Sequence, residues 1–129
     1  MTNEEYGRYV DALAPRSKTG KNLLNAFWVG GLICAIGQAL LNGYQALGLD
    51  ETTAGAAVSI SLVLLSAILT GFAVYDDIAK FAGAGTLVPI TGFANAVVAP
   101  AIEFQTEGFV LGTAAKMFTI AGPVIVYGL

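Results

Sequence analysis

Four stretches of mainly apolar residues divide the chain, and most charged residues lie outside them. The stretches cover residues 23–49, 52–75, 81–102 and 108–129. A membrane-spanning helix needs about 20 consecutive, mostly apolar residues, and each stretch is long enough. The pattern therefore predicts an all-α integral membrane protein. Its single transmembrane domain, residues 23–129, would be a small bundle of about four hydrophobic segments.

Residues 1–22 precede this domain as a polar arm. Tyr6, Tyr9, Val10 and Leu13 recur at helical spacing with charged residues between them, which predicts a short amphipathic helix. Such a helix lies on the membrane surface, contacts a partner or packs on its own domain, and these alternatives stay open. The arm also holds four basic residues, namely Arg8, Arg16, Lys18 and Lys21. Since no basic residue lies in the turn at residues 50–51, the positive-inside rule predicts a cytoplasmic N-terminus.

The composition supports a membrane protein and excludes several common kinds of catalytic and metal site. Of the 129 residues, 56% are hydrophobic and 12% are charged, whereas a soluble domain carries about 25% charged residues. The net charge of −3 gives no indication of a nucleic-acid partner. Without histidine, and with one cysteine, the usual zinc sites, histidine-based triads and an internal disulfide are unavailable. We therefore expect no catalytic residues, no metal site, no cofactor and no enzyme activity.

Small residues recur every four positions in two stretches and predict helix-packing faces. In lipid, such residues let helix backbones approach closely. The first stretch contributes Gly31, Ala35, Ala39 and Gly43, and the fourth contributes Gly108 and Gly112. Packing within the chain is the favoured interpretation of the first ridge, and contact with another subunit is the alternative. Gln38, a strongly polar residue in the middle of the first stretch, is expected to face protein.

The third stretch is unlike the others because glycine and proline cluster in it. A continuous helix is disfavoured there, since proline lacks an N–H group and clashes with the preceding turn. Broken backbone at membrane depth is tolerated where protein or a water-filled cavity satisfies it, and transporters use half-helices to direct N–H groups at anions. We predict a broken or re-entrant segment with Thr91 capping its second half; a kinked continuous helix is the alternative. The candidate pore or substrate path comprises Gly83, Gly85, Pro89, Thr91, Gly92, Asn95 and Lys116.

Three charged residues near the fourth stretch have two interpretations each. Lys116 shares a ridge with the two glycines of that stretch, and an intramembrane charge is a functional candidate, although a lysine can also extend to the interface. Glu103 and Glu107 lie one helical turn apart and would form an acidic mouth or mark a solvated turn. If the third stretch spans the membrane, these glutamates are outside and the C-terminus is inside. If it is re-entrant, both assignments reverse.

Three segments of the chain resemble the stage V sporulation protein AC (SpoVAC) family of endospore-forming bacteria. They read AFWVGGLICAIGQAL (26–40), LSAILTGFAVYDDIAKFAGAGTLVPITGFANAV (65–97) and AIEFQTEGFVLGTAAKMFTIAG (101–122). The AE-type sporulation membrane proteins are the nearest sister family and share the first two segments. The IEFQTEG sequence and the N-terminal arm favour the AC branch.

The resemblance implies a function in sporulation and germination. It implies a channel subunit of the spore (forespore) inner membrane, responsive to membrane tension, that moves dipicolinic acid with calcium. In such a channel Glu103 and Glu107 would be a gate or a calcium contact. It also implies a SpoVA complex that contains the AE-type membrane protein and the soluble, dipicolinate-binding AD protein. Lys116 lies where an uncharged polar residue is expected in relatives, so a family-wide role for it is in doubt. The competing function is a non-conducting membrane scaffold that anchors the soluble partner.

Overall fold

The computed structural model describes residues 2–13 and 18–128, with the backbone alone at Asp11, and every element in these residues is helical. The α-helices are α1 (Asn3–Leu13), α2 (Thr19–Ala46), α3 (Glu51–Gly71), α4 (Val74–Ala82), α5 (Pro89–Glu103) and α6 (Ala115–Gly128). Short 3₁₀ turns follow α4 and α5, at Gly83–Thr86 and Gln105–Glu107, and a π-helical turn, Phe109–Ala114, leads into α6. Arg16, which is used above, and Leu129, the last residue of the fourth stretch, lie outside the described residues.

Three helices in the described part of the chain are long and apolar enough to cross a membrane. They are α2 with 28 residues, α3 with 21, and the continuous 20-residue segment Phe109–Gly128. The third predicted stretch has a different form, because its main helix, α5, has 15 residues and about 20 are needed to span. The all-α prediction is confirmed for the described residues, and they provide three candidate spans.

Helices α2 and α3 form an antiparallel hairpin. Asp50 begins α3 as its N-cap, since its carboxylate accepts hydrogen bonds from the Thr53 N–H at 3.1 Å and the Thr53 hydroxyl at 2.6 Å. These bonds hold the pKa of the exposed Asp50 carboxyl below its usual 3.8. Between the helices, the hydroxyls of Tyr44 and Ser61 lie 2.7 Å apart. The hairpin is therefore fixed at its turn and along its length.

Asp76, Asp77 and Lys80 lie in a helix, α4. The sequence predicts a connection between spans at this place. Ala73 has a left-handed backbone conformation, with φ of 59°, and separates α4 from α3. Asp76 and Asp77 occupy the first turn of α4 and Lys80 its last turn, an arrangement that the helix dipole favours. Gly83, with φ of 54°, then ends α4.

Helix α5 runs parallel to α3 and returns toward the end of α3. Ser66 of α3 contacts Thr91 of α5, and one turn further along both helices Thr70 contacts Asn95. Helix α4 begins just after the end of α3, and α5 ends near the same place, since a Cβ added to Gly71 would lie 4.0 Å from Ile102 Cδ1. Ser66 is five residues before Gly71, so the start of α5 reaches about 8 Å into the bundle at 1.5 Å per residue.

The turn between α4 and α5 packs against the first half of α2. A Cβ added to Gly85 would lie 2.8 Å from the Ala26 Cα, and one added to Gly30 would lie 3.3 Å from the Gly85 carbonyl oxygen. The Asn25 side chain donates a hydrogen bond to the Phe81 carbonyl at 3.2 Å. The face of α2 that contacts the rest of the chain is thus the one that carries Ala26 and Gly30.

The small-residue ridge predicted on α2 lies on a different face. Gly31, Ala35, Ala39 and Gly43 are all exposed in the single chain. Cβ atoms added to Gly31 and Gly43 would meet nothing within 4 Å. No helix of the described residues therefore covers this ridge, and the favoured interpretation, packing within the chain, is not met. Contact with another subunit stays a prediction.

Candidate functional site

A half-open cavity of about 330 Å³ lies where the end of α3, the start of α4 and the second half of α5 meet. Its floor and walls combine small apolar residues with four polar side chains. The lining residues are Thr70, Ala73, Asp76, Ala79, Asn95, Ala99, Ile102 and Glu103. Two predicted site residues, Asn95 and Glu103, therefore line the same cavity from one helix, α5.

The polar floor of the cavity is the contact between Thr70 and Asn95. Thr70 Oγ1 lies 2.8 Å from the Ser66 carbonyl oxygen and 2.8 Å from Asn95 Oδ1, so its single proton is shared between two acceptors. The Asn95 Nδ2 group has no hydrogen-bond partner among the described residues. The floor therefore offers amide N–H donors to a solute that carries acceptor oxygens.

The mouth of the cavity is acidic but partly neutralised. Asp76 and Glu103 line it, and both are exposed. Lys80 Nζ lies 2.6 Å from Asp76 Oδ2 and 3.4 Å from Asp77 Oδ1. The hydrogen bond and charge of Asp76, followed by Asp77, raise the pKa of Lys80 above its usual 10.5. The mouth accordingly presents carboxylate oxygens close to a cation that remains protonated at neutral pH.

Buried hydroxyl groups lie beneath the cavity, further into the bundle. Ser66 Oγ donates to the Thr91 carbonyl at 2.7 Å, and the Tyr75 hydroxyl donates to the Thr86 carbonyl at 3.0 Å. Thr91 is 6% exposed, and its own Oγ1 has no partner. The prediction that Thr91 caps α5 is wrong, because Val88 is the N-cap and Pro89 takes the first helical turn. Proline suits that turn, since its missing N–H would have no helical partner there.

The predicted glycines of the third stretch serve packing and turn geometry. Gly85 is buried against α2, and a Cβ on Gly92 would lie 2.7 Å from the Thr86 carbonyl oxygen. Gly83 ends α4 with a positive φ, and Pro89 is exposed at the start of α5. None of these four residues lines the cavity. They shape the turn between α4 and α5 and the start of α5.

Lys116 lies at the C-terminal end of α5, against Phe104, and does not line the cavity. Its Nζ is 3.9 Å from the centre of the Phe104 ring, a cation–π contact. Gly112 is buried beside Phe104 and Glu107, where an added Cβ would collide with the Phe104 carbonyl oxygen. Gly108 is exposed with φ of 103°, ahead of the π-helical turn. The structure therefore separates Lys116 and Glu107 from the cavity that holds Asn95 and Glu103.

Two cavity residues, Thr70 and Asp76, are absent from the predicted path. The sequence feature that points to Thr70 is its four-residue spacing from Ser66, which places both hydroxyls on one face of α3. Ser59 and Ser61 lie earlier on that helix and donate to carbonyls of their own helix, at Gly55 and Ala57. Since a hydroxyl can always bond back to its own helix, the sequence could not distinguish the two pairs.

Comparisons with known proteins agree with one another. The family model described as "SpoVAC/SpoVAEB sporulation membrane protein" matches residues 22–129. Stage V sporulation protein AC of Bacillus subtilis (strain 168) is 50% identical over 132 residues, an alignment that covers 100% of this chain and 88% of that protein. No solved structure matches. With three apolar helices of spanning length in its described residues, the chain belongs to the SpoVAC/SpoVAEB family of sporulation membrane proteins.

Proposed function

We propose that the chain is a subunit of a channel that moves dipicolinate, together with calcium, across the inner membrane of the spore. Membership of a sporulation membrane protein family supports this function. The observation that carries it is the cavity between α3, α4 and α5, with the Thr70–Asn95 contact at its floor and carboxylates at its mouth. We take this cavity as the vestibule of the transport path.

The chemistry of the cavity suits a small aromatic dicarboxylate. The Asn95 amide donates hydrogen bonds to a carboxylate, while Ala73, Ala99 and Ile102 provide apolar surface for a ring. Carboxylate oxygens at the mouth are ligands that calcium prefers. Since the described residues contain no group of three potential metal ligands, calcium would be held partly by the carboxylates of the solute itself.

The arrangement of α4 and α5 favours the re-entrant form of the third segment. Both ends of this helix pair lie at the same end of α3, and the turn between them dips into the bundle beside Ser66 and Ala26. We propose that the pair enters and leaves the membrane on one side. Glu103 and Glu107 then lie on the same side as Asp76, and with a cytoplasmic N-terminus that side is the cytoplasm. The vestibule accordingly opens there.

Release of dipicolinate from liposomes tests the function. The protein is reconstituted alone and with the AE-type membrane protein in vesicles loaded with calcium dipicolinate, and release is recorded with and without osmotic stress. We expect release under stress in one of these preparations, and a decrease of about tenfold for Asn95→Leu, the equivalent of about one lost hydrogen bond. No release from either preparation, with insertion verified, would contradict a channel.

Two threonine variants provide a matched pair in the same assay. Thr70 and Thr119 each donate to the carbonyl four residues earlier, and only Thr70 lines the cavity. Thr70→Val should reduce release and Thr119→Val should leave it unchanged. Equal effects of the two would place the path elsewhere.

A second function, a membrane scaffold for a soluble partner, is favoured by α1. Tyr6, Tyr9, Val10 and Leu13 form an apolar stripe on this helix, and all four are exposed. The stripe is therefore not packed on the rest of the described chain and can bind the soluble AD protein. Recruitment of that protein to vesicles, measured for Tyr6→Ser combined with Tyr9→Ser, tests the scaffold. Loss of recruitment without any release by the unaltered protein would favour the scaffold over the channel.

A further inference from the structure

Polar side chains lie at membrane depth on the outward face of α2. Gln38 is about 4 Å along the helix from the midpoint of the uncharged run 22–49, and Asn42 lies one turn beyond it. Both side chains are exposed, and Gln38 Nε2 donates to Asn42 Oδ1 at 2.9 Å. The Gln38 Oε1 and Asn42 Nδ2 groups have no partner in the described part of the chain. Polar groups in a membrane span are satisfied by neighbouring helices, so this face needs protein against it.

These two residues belong to a longer pattern, which we term the α2 seam. Its members follow one another at alternating spacings of four and three residues, and all of them are exposed. They are Leu24, Trp28, Gly31, Ala35, Gln38, Asn42 and Gln45. A repeat of seven residues on one face is the pattern of helices that pack side by side along their length. In membranes most such pairs cross at about 20°.

No other part of the described chain covers the seam. Helix α2 contacts α3 and the turn after α4 through a different face, where Gly30 meets Gly85 and Gly37 faces Leu62. The sequence predicts that Gln38 faces protein, and within the single chain it does not. The partner of the seam therefore comes from another molecule.

We propose that two copies of this chain associate in the membrane through the α2 seam. Copies of one chain insert in the same orientation, so their α2 helices lie parallel and each seam residue meets its own equivalent. Gly31 and Ala35 would then allow close approach of the backbones. Carboxamides suit such pairing, because each donates and accepts hydrogen bonds, so Gln38 and Asn42 complement their equivalents. The seam contains no charged residue that would repel its copy. This assembly does not depend on which solute the protein conducts.

Oxidative cross-linking in membranes tests the contact directly. The one cysteine, Cys34, is exposed, so Cys34→Ala gives a cysteine-free background. In that background Ala35→Cys lies in the seam, while Leu64→Cys lies on α3 and is a matched control, since Leu64 is 60% exposed. Expression in a bacterium without sporulation proteins restricts covalent dimers to copies of this chain. We expect rapid dimer formation for Ala35→Cys and little for Leu64→Cys; equal yields from the two would overturn the proposal.

The carboxamides provide a second, independent readout. Association of the unoxidised protein is measured in detergent by energy transfer between labelled copies. We expect Gln38→Leu to raise the dissociation constant by about three- to thirty-fold, since interhelical hydrogen bonds in membranes contribute modestly. Leu64→Ala should have no effect on association. Unchanged association of Gln38→Leu, or an unaltered protein that is monomeric in this assay, would overturn the pairing of two copies through the seam.

Discussion

The backbone of Gly85 lies directly against the backbone of Ala26, with no room for a side chain between them. A Cβ on Gly85 would come within 2.5 Å of the Ala26 carbonyl oxygen. This contact joins the turn after α4 to the first half of α2, and so sets how deeply the α4–α5 pair enters the bundle. The contact also gives the glycine cluster of the third stretch a structural role. Gly85, one of these glycines, allows close packing and does not line the cavity.

Substitution of Gly85 should therefore unpack the turn. Two backbones cannot move apart as easily as flexible side chains, so we expect Gly85→Ala to lower the free energy of unfolding by about 1–3 kcal/mol or more. Gly55→Ala is the matched control, since a Cβ there meets nothing within 4 Å and alanine favours a helix. Thermal unfolding in detergent measures both. Equal stability of the two variants would contradict the close contact.

The sequence predicts the three candidate spans well, because spanning helices are long and mostly apolar, whereas the form of the third stretch stays a prediction. It predicts their faces less well, as α2 shows. Gly31 and Gly30 are adjacent, and the ridge of small residues begins at Gly31, yet only Gly30 packs within the chain. The choice between them depends on where the turn at Gly85 lies, which is a long-range contact that periodicity does not contain.

The residues of the candidate site, too, are predicted only in part by the sequence. The predicted break in the third stretch puts Asn95 on the candidate path, and Asn95 lines the cavity. The sequence does not predict its partner Thr70, since a threonine in a membrane helix usually bonds to its own backbone, as Thr70 also does. The charge of Lys116 and the ridge that it shares with two glycines predict a place on the path, and the structure places it on the ring of Phe104. Charge indicates that a lysine needs a partner but does not identify the partner.

The capping carboxylate of Asp50 should make stability depend on pH at the acidic end. The pKa of Asp50 is lowered in the folded state, so its contribution is complete above its usual value of 3.8 and is lost as the pH falls through the folded value. Asn caps helices well but does not titrate. We expect Asp50→Ala to unfold at lower temperature at neutral pH, and Asp50→Asn to resemble the unaltered protein there. Near pH 3 (about one unit below the usual value) only the unaltered protein should lose the contribution, and parallel curves for all three would refute the cap.

The contact between Lys116 and Phe104 should contribute to stability. Cation–π pairs contribute about 0.5–2 kcal/mol, more where the cation is removed from water, and Lys116 is half-buried. A double-mutant cycle with Lys116→Met and Phe104→Leu should give a coupling energy in that range. Since Lys116 does not line the cavity, Lys116→Met should also leave dipicolinate release unchanged. If the Lys116→Met variant is stable but no longer releases dipicolinate, Lys116 is part of the transport path.

The proposed re-entrant pair predicts which turns share a side of the membrane. Glu107 follows α5, Asp77 lies in the first turn of α4, and Glu51 starts α3; all three are exposed. If α4 and α5 enter and leave on one side, residues 77 and 107 share that side and residue 51 is on the other. If the segment spans, residue 107 shares the side of residue 51. The two topologies therefore place residue 107, which is exposed, on opposite sides of the membrane.

Single cysteines at these positions distinguish the topologies in intact cells. In the Cys34→Ala background, Glu51→Cys and Asp77→Cys serve as the two reference sides, and Glu107→Cys is the test. A maleimide that cannot cross the membrane is applied before and after permeabilisation. We expect Glu107→Cys to react together with Asp77→Cys, and both only after permeabilisation if the N-terminus is cytoplasmic. Reaction of Glu107→Cys together with Glu51→Cys would instead mean that the α4–α5 segment crosses the membrane, and the vestibule would then lie on a continuous path through it.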